Sequence, residues 1–111
     1  MTGSRLDPRV GLVVVDHRSV TLVDRLLSAV AGGADELVVV DCTPADPGLG
    51  EVCARHRAEV VEPGANLGYG GGANAGLAAL TGEVDVVVIA NPDVEISASD
   101  LRALARRAHR S

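Results

Sequence analysis

Lysine is absent from this chain, and aromatic side chains are nearly so. Tyr69 is the only aromatic residue among 111, so the core must be built from valine, leucine, alanine and isoleucine, which suit strands and helix–sheet contacts. All ten basic residues are arginine, which excludes the phosphate-binding lysine of a P-loop and lysine Schiff-base chemistry. The length predicts a single domain, residues 1–111, with a modest core.

Long apolar runs, basic tracts and a disulfide framework are also absent. No run approaches the roughly 20 apolar residues of a membrane span, and residues 1–5 lack the core of a signal peptide. The net charge of −5 argues against a nucleic-acid partner, and Cys42 and Cys53 are expected to stay reduced. We therefore expect a cytoplasmic protein. One face of the predicted last helix carries Arg102, Arg106 and Arg110. This face indicates either peripheral contact with lipid headgroups at the inner face of the membrane or a solvated surface.

Four short runs rich in valine predict β-strands: Val10–Val15, Leu37–Val40, Glu59–Val61 and Val84–Ala90. Helical patterns follow these runs, and we expect Ser19 to cap the first helix and Ser97 with Asp100 to cap the last. Alternating strands and helices predict an α/β fold, a Rossmann-like parallel sheet with helices on both faces. The run Val84–Ala90 is expected to be a strand buried on both faces.

Three of these strands run into an aspartate. Asp16 and Asp41 follow the first two strands directly, and Asp93 follows the fourth, where Pro92 has no N–H to continue the ladder. Parallel strands place their carboxyl ends at one edge, which is where ligands bind in open α/β sheets. If the three carboxylates converge there, they would attract a cation, and oxygen ligands select Mg²⁺ or Mn²⁺. The alternative is that each aspartate only caps the loop that follows it.

The segment Gly64–Gly76 is rich in glycine, which lets backbone approach a ligand and present N–H groups to phosphate. Residues 68–73 satisfy the dinucleotide fingerprint G-x-G-x-x-A, although residues 63–67 separate them from the preceding strand. Close packing of a helix on a strand explains the glycines equally well. His17 and Arg18 follow the first strand at the expected functional edge, where Arg18 could neutralise a diphosphate or form a surface ion pair.

Three motifs together resemble family 2 glycosyltransferases of the GT-A fold. The first motif is Asp41 after a valine-rich strand. The second is the stretch from Asn66 to Gly76, which begins with Asn-Leu-Gly-Tyr-Gly, and the third is the Ala-Asn-Pro-Asp-Val run from Ala90 to Val94. The resemblance covers roughly residues 10–105 and points to the bacterial rhamnosyltransferase branch. It implies an inverting hexosyltransferase of cell wall polysaccharide biosynthesis that moves a sugar from a dTDP- or UDP-sugar to a glycan or lipid-linked acceptor.

The resemblance also implies roles for particular residues. Asp41 would contact the base, and Val15 and His17 would line the same pocket. Asn91 would hold the first position of a D-x-D-like motif, whose acid, Asp93, would bind Mg²⁺ or Mn²⁺ and so stabilise charge on the leaving nucleotide. The other residues implied in the sugar-nucleotide site are Asn66, Gly68, Gly70 and Asn74.

The chain departs from the family pattern in two loops and in its length. His17-Arg18 replaces the common Tyr-Asn, and Cys42–Asp46 replaces the usual Asn-Gly-Ser-Thr-Asp. The family's acceptor site and general base belong to a later half, so we interpret residues 1–111 as the truncated N-terminal, nucleotide-sugar-binding half. An open sheet edge in such a half makes self-association a further hypothesis.

Three competing interpretations remain open at this point. A dinucleotide-binding Rossmann module would use the glycine fingerprint, and a non-catalytic remnant would keep the fold without the chemistry. A receiver-like signalling domain has acids at its strand ends as well, but such domains resemble one another in using a lysine, which this chain lacks.

Overall fold

A computed structural model describes residues 7–43, 47–63 and 68–110. Four parallel strands form one sheet in the order β3-β2-β1-β4: β1 (Val10–Asp16), β2 (Glu36–Asp41), β3 (Glu59–Val61) and β4 (Val86–Ala90). A helix follows each strand: α1 (Val20–Ala29), α2 (Leu49–Arg55), α3 (Gly68–Ala79) and α4 (Ala98–Arg110). The predicted Rossmann-like α/β fold is confirmed.

Two apolar layers cover the two faces of the sheet, and β1 lies between them. All seven residues of β1 are buried, and its side chains alternate between the layers. Leu12 and Val14 pack in the layer that holds the buried residues of α1, α2 and α4, whereas Val13 and Val15 pack with β2 and α3. Because a slip of one residue would exchange the two layers, this alternation specifies the register of the central strand.

The fourth strand differs from the prediction. β4 begins at Val86 instead of Val84, and in the described part of the chain it pairs only with β1, so it forms an edge of the sheet. Ile89 is 37% exposed, and the valines before it are only partly buried. The prediction that this run is buried on both faces is therefore wrong; β1 is the strand buried on both faces. A run of valines indicates a strand but does not reveal its position in the sheet order.

Local hydrogen bonds explain how two of the helices begin. α4 starts with the predicted capping box, in which Asp100 N–H donates to Ser97 Oγ and Ser97 N–H donates to Asp100 Oδ2, both at 3.1 Å. Ser19 occupies the N-cap position of α1, but its side chain makes no capping hydrogen bond. The predicted side-chain cap is wrong because the Ser19 hydroxyl donates instead to the His17 carbonyl at 3.4 Å.

The arginine face of α4 is partly engaged within the molecule. Arg102 donates to the Pro8 carbonyl at 2.8 Å and lies 3.4 Å from Asp35, while Arg106 donates to Asp7 at 2.8 Å. These contacts tie the last helix to the residue stretches that precede β1 and β2. Among the described residues, no helix is long and apolar enough to cross a membrane.

Candidate functional site

Asp16 and Asp41 lie side by side at the carboxyl edge of the sheet. They end β1 and β2 as register partners, and both are buried, with 0% and 4% of their surface exposed. The Ser19 N–H donates to Asp16 Oδ1 at 2.8 Å, and the Thr43 N–H donates to Asp41 Oδ1 at 3.1 Å. Both carboxylates therefore cap the loops that follow their strands, and this capping holds those loops in place at the edge.

The segment Asn91–Val94 forms a turn at the end of β4. Val94 N–H donates to the Asn91 carbonyl at 3.2 Å, which closes the turn. Pro92 suits the second position of such a turn because its φ is already set, and it is buried, whereas Asn91 and Asp93 are exposed. The turn thus presents the Asp93 carboxylate to solvent at the same edge that holds Asp16 and Asp41.

The three aspartates share this edge but do not converge on one cation. The sheet order puts β2 and β4 on opposite sides of β1, so the ends of those strands are two strand spacings apart, roughly 10 Å. Among residues 7–43, 47–63 and 68–110, no three His, Cys, Asp or Glu side chains are grouped closely enough to hold a metal ion. The hypothesis of a three-carboxylate site is therefore wrong for this part of the chain, and it leaves Asp93 as the exposed candidate ligand.

The loop between β1 and α1 places two of the predicted or considered residues at the edge. His17 and Arg18 are exposed, and Arg18 has a φ of 59°, in the left-handed region. Val15 is different: it is only 1% exposed and belongs to the layer beneath α3. Its side chain therefore supports the site from within the core instead of lining an open pocket.

A pocket of about 320 Å³ lies beside Asp41, between the carboxyl ends of β2 and β3 and the start of α2. Its lining residues are Asp41, Leu49, Gly50, Val60 and Glu62. Four of these five were not predicted from the sequence. The signal that identified Asp41, an acid directly after a strand, was also present at Glu62, which follows β3.

Two cavities larger than this pocket lie at the opposite, amino edge of the sheet. They measure about 810 and 720 Å³ and share Arg9, Gly32 and Asp35 among their lining residues. Some of the charged residues there are paired: Asp35 contacts Arg9 at 3.9 Å and Arg102 at 3.4 Å. Cavity volume alone would place the site at this edge, where exposed charged residues such as Arg57 also lie.

Two glycines of α3, Gly72 and Gly76, allow this helix to pack closely on the sheet. A Cβ atom at Gly76 would lie 2.4 Å from Val13 Cγ1, and one at Gly72 would lie 2.8 Å from Cys42 Sγ, so α3 approaches β1 and β2 as closely as only glycine allows. Gly70 is exposed and has open space where a Cβ would lie. Close packing is therefore confirmed for Gly72 and Gly76, while the role of Gly70 in a sugar-nucleotide site stays a prediction.

The remaining predicted residues of this segment are spread out. Gly68 is the first residue of α3, and residues 62–67 separate it from the end of β3, so the glycine fingerprint does not form the tight strand-to-helix turn of a dinucleotide site. Asn74 is exposed, and it lies two positions from both packing glycines, which places it on the side of α3 that faces away from the sheet. Asn66 lies outside the described residues.

The thiol of Cys42 is held in its neutral form beside this site. Burial raises its pKa, and the nearby charges of Asp16 and Asp41 raise it further. The same three causes raise the pKa of Cys53 to about 11. Neither thiol is activated as a nucleophile.

The family of the chain is shown by a match over most of its length. The model of the family described as glycosyl transferase family 2 matches residues 17–111. The chain belongs to glycosyltransferase family 2. The match includes the capped loops after β1 and β2 and the Asn91–Val94 turn.

Two curated proteins resemble this family 2 glycosyltransferase chain. The low-salt glycan biosynthesis hexosyltransferase of Haloferax volcanii is 32% identical over 97 residues, which cover 86% of this chain and 31% of that protein. The bifunctional enzyme IspD/IspF of Clavibacter michiganensis is 36% identical over 119 residues, covering 99% of this chain and 28% of that enzyme. The chain thus spans about a third of the length of the curated relatives it matches.

A solved structure shares the fold. It is glucosyl-3-phosphoglycerate synthase from Mycobacterium tuberculosis, in complex with Mn²⁺, UDP and glucosyl-3-phosphoglycerate. The TM-score is 0.67 at 18% identity, and the likeness covers 86% of this chain and 38% of that one. A family 2 glycosyltransferase chain and a GT-A-like glycosyltransferase structure therefore share the parallel α/β architecture described above.

Proposed function

We propose that this chain is the nucleotide-sugar-binding part of a glycosyltransferase and that the donor lies along the carboxyl edge of its sheet. The observation that carries the proposal is the division of this edge by β1: the pocket beside Asp41 lies on one side, and the exposed Asn91–Val94 turn lies on the other. A nucleoside diphosphate has the same two-ended character, with a flat base at one end and anionic phosphates at the other.

In this proposal the base of the donor nucleotide lies in the pocket beside Asp41. Leu49 and Val60 supply apolar walls for a flat ring, and Asp41 and Glu62 supply acceptor oxygens. Uracil and thymine each offer a ring N–H to such an acceptor, whereas phosphate groups would be repelled by two carboxylates. A UDP- or dTDP-sugar would therefore lie with its base at β2 and its diphosphate directed across β1 towards β4.

The residues at the end of β4 fit a divalent cation with oxygen ligands. The Asp93 carboxylate and the Asn91 side chain are exposed oxygen donors, which suit Mg²⁺ or Mn²⁺ better than softer metals. Mg²⁺ commonly takes only one or two carboxylates from the protein and completes its shell with substrate phosphates and water. A cation bound there would neutralise charge that develops on the leaving diphosphate. The fold neighbour was solved with Mn²⁺ and UDP, which supports this choice.

The proposal also covers the transferred sugar, the acceptor and the general base. We propose inverting transfer of a hexose, with rhamnose as the first sugar to test, to a glycan or lipid-linked acceptor. Activation of the acceptor hydroxyl requires a general base, which the family resemblance assigns to a later half. The 111-residue chain is therefore expected to bind the donor but to transfer little or no sugar.

The proposal is tested by calorimetric titration of the chain with UDP and with dTDP, in the presence and absence of Mn²⁺. The test variant is Asp93→Asn, and the matched control is Glu95→Gln, which removes another exposed charge two residues away in the same loop, one that lies 4.0 Å from Arg25. We expect Mn²⁺ to tighten binding, Asp93→Asn to remove the effect of Mn²⁺, and Glu95→Gln to leave it unchanged. Asp41→Asn should weaken both nucleotides with or without metal, because it changes the base pocket.

Two results would contradict the proposal. If the folded chain binds neither nucleotide with Mn²⁺ present, the donor site does not exist in it. If binding is the same in Asp93→Asn and Glu95→Gln, the cation is not held at the end of β4.

A further inference from the structure

The end of β1 lies directly between the two proposed ends of the donor. The sheet order β2-β1-β4 puts the loop after β1 between the Asp41 pocket and the Asp93 turn. Register confirms the alignment, because Asp16 pairs with Asp41 on one side and Val14 pairs with Ala90, the last residue of β4, on the other. A nucleoside diphosphate that spans the two sites must pass over this loop, and its phosphates are the part that lies there.

The backbone of this loop is held by Asp16. Its carboxylate accepts the Ser19 N–H at 2.8 Å, and its carbonyl accepts the Cys42 N–H at 3.0 Å. Between these anchors, Arg18 adopts a φ of 59°, which is uncommon for a residue other than glycine. The loop therefore fixes the Arg18 backbone in a position that L side chains rarely adopt, while the side chain itself stays exposed.

Arg18 is also distinguished by charge. The described parts of the loops that leave the strands at this edge are residues 17–19, 42–43, 47–48, 62–63 and 91–97. Arg18 is the only arginine among these residues. It forms no salt bridge with any described residue, unlike Arg9, Arg102 and Arg106 at the amino edge. The surface ion pair that would be its alternative role is thus not formed within the part of the chain that the structure describes.

We infer that Arg18 binds the diphosphate of the donor nucleotide. The inference rests on the proposed function and adds the residue that meets the phosphates between the base and the cation. A guanidinium stays protonated at every practical pH and donates two parallel hydrogen bonds to phosphate oxygens, so it can share the negative charge with the divalent cation. The chain has no lysine, and Arg18 is the only arginine in the described loops of this edge, so it is the permanently charged side chain that these loops offer to a phosphate.

Arg57 provides a matched control at the other edge of the sheet. It is an exposed arginine with a φ of 58°, it follows α2, and it forms no salt bridge with any described residue. Arg57→Ala therefore removes the same charge from the same backbone conformation, but on the side remote from the proposed donor. Arg18→Gly is a second useful variant, because glycine suits a positive φ and the variant should fold at least as well as the wild type.

The experiment is calorimetric titration with Mn²⁺ and the tighter binder of UDP and dTDP, together with the matching nucleoside monophosphate, at low and at high salt. We expect Arg18→Ala and Arg18→Gly to weaken the diphosphate roughly tenfold at low salt, with a smaller loss for the monophosphate and at high salt. Arg57→Ala should bind like the wild type. Circular dichroism of each variant checks that the fold is kept.

The outcomes separate this inference from the proposed function. If the wild type binds the diphosphate and both Arg18 variants bind it equally well, the inference is wrong and the donor site stands. If Arg57→Ala loses as much affinity as Arg18→Ala, net charge alone is responsible and the inference is again wrong. If the folded wild type binds no nucleoside diphosphate, both the donor site and the role of Arg18 are overturned.

Discussion

The two edges of the sheet differ in how several of their charged residues are used. At the amino edge, acids and arginines contact each other: Asp35 meets Arg9 and Arg102, and Asp7 meets Arg106. At the carboxyl edge, Arg18 and Asp93 are exposed and form no salt bridge with any described residue. Larger cavities lie at the first edge, where Arg57 is exposed too, but the exposed Asp93 turn and the Asp41 pocket lie at the second. The proposed donor site therefore follows from the Asp41 pocket and the exposed Asp93 turn, and not from cavity volume.

The physical reason lies in what each edge has to hold together. The amino edge joins the chain before β1 to α4 and to the start of β2, and the Val10 N–H donates to Asp35 at 2.7 Å for the same purpose. Its charges thus stabilise the fold. At the carboxyl edge the buried carboxylates of Asp16 and Asp41 hold the loops after β1 and β2, so we expect the exposed Arg18 and Asp93 side chains to contribute little to stability.

The largest expected change in stability comes from a substitution in α3, the helix that connects both edges. α3 runs from the carboxyl edge to the amino edge, and Gly76 seats it against Val13 and Val40. Gly76→Ala should lower the free energy of unfolding by about 2 kcal/mol, because the added Cβ would lie 2.4 Å from Val13 Cγ1. Urea denaturation measures it. Gly70→Ala, in the same helix but with open space around it, should be neutral or stabilising by about 0.5 kcal/mol; equal losses in both variants would show that the close contact is unimportant.

The next effect separates the two edges directly. Asp35→Ala should reduce the free energy of unfolding by about 1–2 kcal/mol, since it removes the acceptor for the Val10 N–H and the partner of two arginines. Asp93→Ala should change it by less than about 0.5 kcal/mol. Nucleotide binding with Mn²⁺ should show the reverse order, with loss only in Asp93→Ala. A large loss of stability in Asp93→Ala would mean that the carboxyl edge is structural too.

A smaller effect is expected in acid. The hydrogen bond from His56 lowers the pKa of Asp24, Arg106 lowers that of Asp7, and Thr81 lowers that of Glu36. An acid with a depressed pKa in the folded state adds stability above its ordinary value, here 3.8 for aspartate and 4.5 for glutamate, and the contribution is lost as the pH falls below it. Stability should therefore decline below about pH 4.5, and less steeply in Asp24→Asn.

The test of this acid effect is thermal unfolding followed between neutral pH and strong acid for both proteins. Superimposable pH profiles for the wild type and Asp24→Asn would show that the Asp24–His56 contact, measured at 2.7 Å, contributes nothing to the pH dependence. High salt should shrink the difference, since exposed pairs are screened.

The last prediction concerns the reactivity of the two cysteines, which lie on opposite faces of the sheet. We expect the thiols of native Cys42 and Cys53 to react very slowly. With its pKa raised to about 11, native Cys53 should react with a disulfide reagent at pH 8 roughly a hundredfold more slowly than a free thiol, and burial slows it further. Stability from this neutral thiol should be lost only as the pH rises from 9.0 towards 11. Cys42→Ser and Cys53→Ser assign the signal. Fast labelling of native Cys42 would indicate that the carboxyl edge opens near Asp41.

Much of the fold was predictable because its signals are local. The four strands, the helix after each of them and the capping box at Ser97 and Asp100 depend on residues close together in the sequence. The place of β4 at the sheet edge was not predictable, because a valine-rich strand has the same pattern in any position. Ser19 shows a similar limit: the residue type suits a cap, but the bond it makes depends on the loop around it.

The candidate site was also predictable only in part. The sequence alone was enough to place Asp16, Asp41 and Asp93 at strand ends, because a polar residue after a buried run ends the strand in any parallel sheet. Whether those carboxylates meet and which of them is exposed depend on the order of the strands and on the packing of helices around them. Those distances join residues far apart in the chain, so only the assembled sheet could place Arg18 between Asp41 and Asp93.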